Sequence, residues 1–332
     1  MNHLRALADC GIGRTPCLAA SRFCPEGRLL IKLESGNRSG SIKARTAWYL
    51  LDESVRAGRV KQGSTLVEST SGNLGLALAD LGRQVGASTV CVVDPTVSEA
   101  KISKLVAAGA EVLFARLDEK FRDYPTARIA EVERLVKERG WIWLNQYATP
   151  AGMKAHEETT GPEIWTDTAG RIDCVVAAVG TGGTICGIGR YLKQVAPAIQ
   201  VVAVEPVGST IFGGHPGPFI SAGSGLAGPS SLVKRFGNVI DFVAKVPDAM
   251  AASICNSFAQ TEAFTVGITG AAAAAVARQI IIQHPDWSVV ALAADGCENY
   301  ADALKATDLV GPSYGEIAIL PVPLIAGSML ST

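Results

Sequence analysis

The sequence predicts an α/β protein whose sheets are mainly parallel and covered by helices on both faces. Three observations carry this. Short apolar, β-branched runs alternate with longer helical runs along most of the chain, the order that βαβ units produce. One of these runs, Cys174-Val-Val-Ala-Ala-Val179, is continuously apolar, as a strand buried on both faces requires. Several runs end in polar, glycine-punctuated turns that lead straight into helices, the place where open α/β sheets bind ligands. The 332 residues suggest two domains or one large unit, and a composition of 48% hydrophobic and 18% charged residues supplies a large core.

In chain order, Gly11-Ile-Gly-Arg-Thr-Pro16 is a turn-rich approach to a strand at 29–33. That strand enters Lys32-Leu-Glu-Ser-Gly-Asn-Arg-Ser-Gly-Ser-Ile-Lys43, where Gly36 and Gly40 let the backbone bend, and a helix is expected over 44–55. A strand at 65–68 ends in Ser69-Thr-Ser-Gly-Asn-Leu-Gly75 and enters an apolar helix at 76–85. Strands at 88–93 and 110–114 flank a helix at 99–108. An amphipathic helix at 125–139 precedes a strand at 141–144, which ends at Asn145-Gln-Tyr147. The second half repeats the logic. A helix at 161–166 and the apolar strand at 174–179 lead through Gly180-Thr-Gly-Gly-Thr184 into a helix running to 192, and a strand at 200–204 ends at Glu205-Pro206. A Gly/Pro/Ser-rich region at 207–231 has no regular pattern, and loops of that length are often functional. Helices at 249–260 and 270–283 and a strand at 288–294 complete the pattern.

Composition excludes several classes of function. The net charge is −1 with no basic block, which argues against nucleic acid as a partner. No apolar run is long and clean enough to cross a membrane, and residues 1–10, with Arg5 and Asp9, lack a secretory apolar core. The eight cysteines show no CxxC, and Cys10, Cys17 and Cys24 are spaced too widely for a usual zinc site. They read as reduced thiols of a cytoplasmic protein, and four unclustered histidines predict no metal.

Three stretches carry chemistry. Lys43 stands at a loop-to-helix junction, where the positive helix end favours an unprotonated amine that can form a Schiff base with an aldehyde. Alone it also reads as a solvated lysine of a first turn. Gly180-Thr-Gly-Gly-Thr184 can bring backbone N–H groups, two hydroxyls and a helix N-terminus to a phosphate, or it is a tight strand–helix turn. It lacks the ending of a nucleotide P-loop and the spacing of a dinucleotide fingerprint. Ser69-Thr-Ser-Gly-Asn73 can hold a carboxylate, or simply cap its helix. Together, a junction lysine, a carboxylate cradle and a phosphate cradle at strand C-terminal ends describe pyridoxal phosphate holding an amino acid.

The chain resembles the fold-type II pyridoxal-phosphate enzymes, in the cysteine synthase branch. Lys-Leu-Glu-x-x-Asn-x-x-Gly-Ser-Ile-Lys-x-Arg, Thr-Ser-Gly-Asn-x-Gly, Gly-Thr-Gly-Gly-Thr and Val-Glu-Pro occur in family order, and the likeness covers roughly residues 10 to 305. The resemblance implies a tryptophan synthase β-like architecture of two domains, each an open, twisted, mainly parallel sheet with helices on both faces. It implies a small mobile domain at 48–153 carrying the substrate-carboxylate loop, a larger cofactor domain from 1–47 and 154–332, and a homodimer. It makes Lys43 the Schiff-base lysine and general base, and lets Asn73 bond the cofactor's ring hydroxyl. Gly180, Thr181, Gly182, Gly183 and Thr184 would hold the phosphate. Thr70, Ser71, Gly72 and Gln146 would bind the substrate carboxylate. Thr269 would face the pyridine nitrogen, and a neutral hydroxyl there leaves that nitrogen unprotonated, which suits β-replacement through an aminoacrylate. Closure of the small domain would keep water from that intermediate.

Departures from the pattern turn the reading away from sulfide as acceptor. Arg38 replaces the usual Pro, Ala44 the usual Asp, and Leu74 the second Thr of the carboxylate loop, while the family's Gly-Ile-Gly-Ala-Gly-Phe-Ile-Pro loop survives only as Gly223-Ser-Gly-Leu-Ala-Gly-Pro229. Glu68-Ser-Thr-Ser-Gly-Asn-Leu-Gly-Leu-Ala-Leu78, Trp143-Leu-Asn-Gln-Tyr-Ala148 and Gly208-Ser-Thr-Ile-Phe-Gly213 look like the synthases that join O-phosphoserine to glutamate on the way to 2,3-diaminopropionate, in siderophore and antibiotic pathways. That likeness puts Tyr147 and Ser209 near the substrates and lets Arg38 or Arg45 meet a second anion, although either arginine also reads as a surface ion pair. The expected activity is β-replacement on an activated serine, O-phosphoserine favoured, with an amine such as that of glutamate as nucleophile. Cysteine synthase is the chief rival, and a serine or threonine dehydratase stands further off. A non-catalytic binding or regulatory protein on this fold would be expected to lack Lys43. A nucleotide-binding protein would be expected to carry a Walker lysine or an acidic ribose partner.

Overall fold

The computed structural model describes residues 4–116, 124–221, 223–301, 304 and 316–323. Strands β1 (Cys17–Ala19) and β2 (Arg28–Leu33) precede helix α1 (Lys43–Arg56). Then follow β3 (Thr65–Ser69), α2 (Asn73–Gln84), β4 (Ser88–Val93), α3 (Glu99–Ala107), β5 (Ala110–Phe114), α4 (Tyr124–Arg139) and β6 (Ile142–Trp143). Next come α5 (Ala151–Ala155), a π-helical turn (His156–Thr160), α6 (Gly161–Asp167), β7 (Cys174–Ala178), α7 (Gly183–Val195) and β8 (Gln200–Pro206). The described chain closes with α8 (Ser231–Phe236), β9 (Phe242–Val246), α9 (Asp248–Thr261), α10 (Ile268–Gln283), β10 (Ser288–Ala293) and β11 (Ile319–Pro321).

The chain divides into two compact units, one made of Met1–Ile12 and Lys43–Gly152, the other of Gly13–Ile42 and Met153–Thr332. The division runs differently from the one expected. The smaller unit begins at Lys43 rather than residue 48, and it takes residues 1–12 from the other side. The physical reason is packing. Cys10 and Ile12 are buried in the same apolar cluster as Ala44, Ala47, Leu50 and Leu51 of α1. Those α1 residues recur at helical spacing, so one face of the helix is apolar and must be covered.

The smaller unit holds a four-stranded sheet in the order β5-β4-β3-β6, every described pairing parallel. The chain steps outward from β3 through β4 to β5 and then returns to the other side of β3. That reversal creates a switch point between β3 and β6, where strand ends diverge and a ligand crevice forms. Its core includes Leu66, Leu74, Leu78 and Leu144, all buried, and each fully buried leucine contributes about 1.5–3 kcal/mol.

The larger unit holds a seven-stranded sheet, β1-β2-β10-β7-β8-β9-β11. Its five inner strands are parallel, while β1 and β11 close the two edges antiparallel. From β7 the chain builds outward to β8 and β9, then returns to place β10 on the other side, so a second switch point lies between β7 and β10. All six residues of β10 are buried, and α10 is buried on nearly every side, which explains why its sequence is alanine-rich rather than amphipathic. Lys32 is fully buried in β2. It is held by ion pairs of 2.9 Å to Glu163 and 2.8 Å to Asp167 of α6 and donates to Thr15 O at 2.7 Å. Removing either acid would leave a buried charge undercompensated.

The expected strand and helix runs occupy their places with ends shifted by up to three residues. The helix expected from residue 76 begins at Asn73, because the polar loop donates its own last residue to the first turn. The short strands β1, β9 and β11 and the helices α5 and α8 carry too little pattern to have been expected.

Candidate active site

In the smaller unit, the candidate residues gather at the C-terminal ends of β3 and β6. Lys43 is the first residue of α1 and is partly buried. Desolvation lowers its pKa, and the carboxylate of Glu68 pulls the other way. The amine is therefore more readily unprotonated than an exposed lysine, the state a nucleophile or base requires. Glu68, fully buried near the end of β3, has its pKa pushed up to about 7, chiefly by burial. It accepts from Trp143 Nε1 at 2.9 Å and from the backbone N–H of Asn145 at 3.0 Å.

The loop after β3 places Thr70, buried, beside Ser71 and Gly72, and Asn73 opens α2. Gly72 N–H lies 3.4 Å from Thr70 Oγ1. Ser69 Oγ is buried with no hydrogen-bond partner among the described residues. From the other strand end, Gln146 Nε2 and the Tyr147 hydroxyl both donate to Ser69 O, each at 3.3 Å. Asn145 adopts a left-handed backbone (φ 57°), and its side-chain oxygen accepts from Tyr147 N at 3.2 Å, so the chain turns sharply here. Burial raises the Tyr147 phenol, against the pull of Arg128.

In the larger unit, the loop from Gly180 to Thr184 joins β7 to α7. Gly182 has φ 85°, and a Cβ there would stand 2.4 Å from Val233 Cγ2. A Cβ on Gly180 would stand 2.6 Å from Gly223 O. Only glycine allows this backbone, and it leads into the start of a 13-residue helix, where free N–H groups suit an anion. Ser230 Oγ donates to Thr181 O, fixing the loop from behind. Thr184 Oγ1 lies 3.4 Å from Nε2 of the buried His156, whose Nδ1 is 3.0 Å from Thr160 Oγ1.

Thr269 lies in the first turn of α10, beside the end of β10, since Gly267 N–H donates to Asp295 O. Its Oγ1 is buried and reaches no partner at hydrogen-bond geometry, although the Tyr300 hydroxyl lies beside it. That hydroxyl lies 3.3 Å from Asp295 Oδ2, and burial raises its pKa well above the ordinary value.

One expected substrate neighbour is engaged within its own loop. Ser209 is fully buried, donating to Glu205 Oε2 at 2.5 Å and accepting from Leu226 N at 3.1 Å, and so holds its own loop. Arg45 exposes no surface, whereas Arg38 is exposed. Glu68, Trp143, Asn145 and His156 were not singled out for a site by sequence. An acid inside the apolar strand of Thr65-Leu-Val-Glu68 was the one available signal. Among the described residues, no group of three or more His, Cys, Asp or Glu is arranged to hold a metal, and no helix is long and apolar enough to cross a membrane.

Comparison with known proteins agrees with this chemistry. Residues 9–295 match the family described as pyridoxal-phosphate dependent enzyme. The chain is 34% identical over 305 residues to N-(2-amino-2-carboxyethyl)-L-glutamate synthase of Ralstonia nicotianae, covering 90% of this chain and 89% of that protein. Among solved structures it is similar to O-ureido-L-serine synthase, with a TM-score of 0.83, 30% identity and coverage of 90% and 93%. It is also similar to O-acetyl serine sulfhydrylase isoform 3 from Entamoeba histolytica, with a TM-score of 0.82, 28% identity and 91% of both chains.

Proposed function

The chain belongs to the pyridoxal-phosphate-dependent enzymes, as a β-replacement synthase of the cysteine synthase type, and we propose that its donor is O-phospho-L-serine and its acceptor the amine of L-glutamate. The observation that carries the site assignment is Lys43, a lysine at a helix start whose ammonium form is disfavoured by burial. The choice of substrates is supported by the 34% identity to a synthase named for its glutamate product.

The residues fit the cofactor. The glycine cradle at 180–184 leaves no room for a Cβ and offers backbone donors to a phosphate. Thr269 Oγ1 is a buried hydroxyl in the first turn of α10, beside the Tyr300 hydroxyl, and is of the kind that can meet a ring nitrogen. In this reading Gly180, Thr181, Gly182, Gly183 and Thr184 hold the phosphate, Asn73 meets the ring hydroxyl, and Lys43 holds the aldehyde carbon. When bound, pyridoxal phosphate supplies an electron sink that acidifies the substrate's α-carbon.

The chain's own residues do the rest. Thr70, Ser71, Gly72 and Gln146 hold the substrate carboxylate at the mouth of β3, where the N-terminus of α2 favours negative charge. Lys43, released as a free amine, takes the α-proton as general base. The β-substituent departs, the acceptor amine adds to the β-carbon, and Lys43 returns the proton to the α-carbon. In the same reading Tyr147, whose hydroxyl donates to Ser69 O, is a substrate neighbour at that mouth. A homodimer is proposed on the family's habit.

The test is a visible absorbance spectrum of the reconstituted protein, followed by addition of O-phospho-L-serine and then L-glutamate with product mass measured. A band that shifts with O-phospho-L-serine and returns with glutamate, yielding the coupled amino acid, is the expected result. A band that shifts only with O-acetyl-L-serine and recovers only with sulfide would replace this reading by cysteine synthase.

A further inference from the structure

The loops after β3 and β6 start from strands that pair side by side, yet β6 is only two residues long and contributes few ladder bonds of its own. What joins the two strand ends is Glu68. One carboxylate oxygen accepts from the Trp143 indole at 2.9 Å, and the other accepts from Asn145 N–H at 3.0 Å. The next residues close the circle, since Gln146 and Tyr147 both donate to Ser69 O, the carbonyl that follows Glu68. The left-handed Asn145 lies at the centre of this ring of bonds, a conformation that persists only where its surroundings enforce it.

We propose that Glu68 is a positioning residue that locks the loop from Thr70 to Gly72 and the segment Gln146–Tyr147 into one preformed carboxylate clamp. This rests on the reading that these segments bind the substrate carboxylate. Glu68 touches no substrate itself. It acts by holding two peptide segments at the separation a carboxylate needs, which lowers the ordering cost of binding. Trp143 is the specific device. Its indole is the only side chain among the described residues with a hydrogen bond to Glu68.

The clamp also links donor binding to pH. The titratable groups facing Glu68 are Lys43 of α1, Cys91 of β4 and Tyr147 of the loop after β6. Cys91 and Tyr147 are both pushed up by burial and stay neutral around pH 7, so Glu68 is the group that changes charge there. Below about pH 7 the Glu68 carboxyl takes up a proton, and one of its two acceptor bonds weakens.

The experiment uses the pyridoxal-phosphate-loaded protein and three forms: wild type, Trp143→Phe and Glu68→Gln. Trp143→Phe removes one donor while keeping the acid and the ring volume, so it tests the clamp even where Glu68→Gln folds poorly. O-phospho-L-serine and O-acetyl-L-serine are assayed separately. Amide hydrogen exchange at 145–147 is followed in parallel. The expected result for Trp143→Phe is a KM for the donor raised about tenfold with kcat within about twofold, because a bond to a carboxylate is lost from positioning and not from chemistry. Exchange at 145–147 accelerates by about the same factor, and the visible spectrum before donor addition does not change. Wild type shows an inflection near pH 7 in kcat/KM, Trp143→Phe shows it displaced upward because the indole bond that lowers the Glu68 pKa is gone, and Glu68→Gln lacks it. Unchanged donor KM in Trp143→Phe overturns the proposal, whether or not exchange accelerates, because Glu68 then serves stability alone. If wild type turns over neither donor, the β-replacement reading fails instead. The clamp is then judged by L-serine binding to the loaded protein, where a tenfold weakening in Trp143→Phe supports it and none overturns it.

Discussion

The two strand-to-helix turns assigned to the proposed chemistry, one in each unit, are built on opposite plans. The turn after β3 works through side chains. It follows directly on the buried Glu68, which is electrostatically coupled to the partly buried Lys43, and a Cβ on Gly72 would meet no atom within 4 Å. The turn after β7 works through backbone. Its glycines are packed against Gly223 and Val233 so closely that a Cβ has nowhere to go. The first is roomy and titratable, as suits a ligand that comes and goes with proton transfer. The second is tight and has no acid or lysine within it, as suits a permanent anion held by N–H groups. Both follow a buried parallel strand at a switch point, so the difference comes from the residues and not from the architecture.

Breaking the titratable turn at its centre has the largest expected effect. Lys43→Ala should lower β-replacement turnover by at least about 10³-fold while the protein remains folded by circular dichroism, because nucleophile and base are lost together. Retained turnover would remove Lys43 from the mechanism. At the tight turn, Gly182→Ala should cost about 2–4 kcal/mol in urea unfolding, since it combines a left-handed backbone with overpacking against Val233, and cofactor retention should fall with it. Gly72→Ala should cost clearly less, and equal costs would erase the contrast between the turns.

A third experiment addresses charge. The folded-state pKa of Glu68, about 7, lies above its ordinary value of 4.5. Between those limits the native state binds more protons than the unfolded state, so stability contributed by this group falls as pH rises, by at most about 3 kcal/mol. Glu68→Gln should flatten that slope between pH 4.5 and 7 in the cofactor-free protein. A slope equal to that of wild type would mean that Glu68 titrates normally. The smallest effect is expected from Tyr147→Phe, which removes one bond to Ser69 O and should weaken donor binding by about 1 kcal/mol, measured as KM.

What the sequence determined by itself is local. Short apolar or β-branched runs marked β3, β4, β7 and β10, as strands buried on both faces of a parallel sheet require, and glycine-containing polar turns follow β3 and β7. The same turns exposed Lys43, Ser69 to Asn73 and Gly180 to Thr184 as candidates, since a bend that needs glycine and a helix N-terminus that attracts anions are both written in consecutive residues. Tertiary structure decided everything that depends on residues far apart in the chain. The order β5-β4-β3-β6, which makes a switch point at β3, is not encoded in any one run. Nor is the joining of residues 1–12 to the smaller unit, which rests on Cys10 and Ile12 finding an apolar face of α1. Glu68 read as one acid in a strand until folding brought Trp143, 75 residues away, within hydrogen-bond distance. The reason is physical: backbone conformation answers to neighbours in sequence, whereas desolvation and hydrogen bonding of a buried charge answer to whatever the fold places beside it.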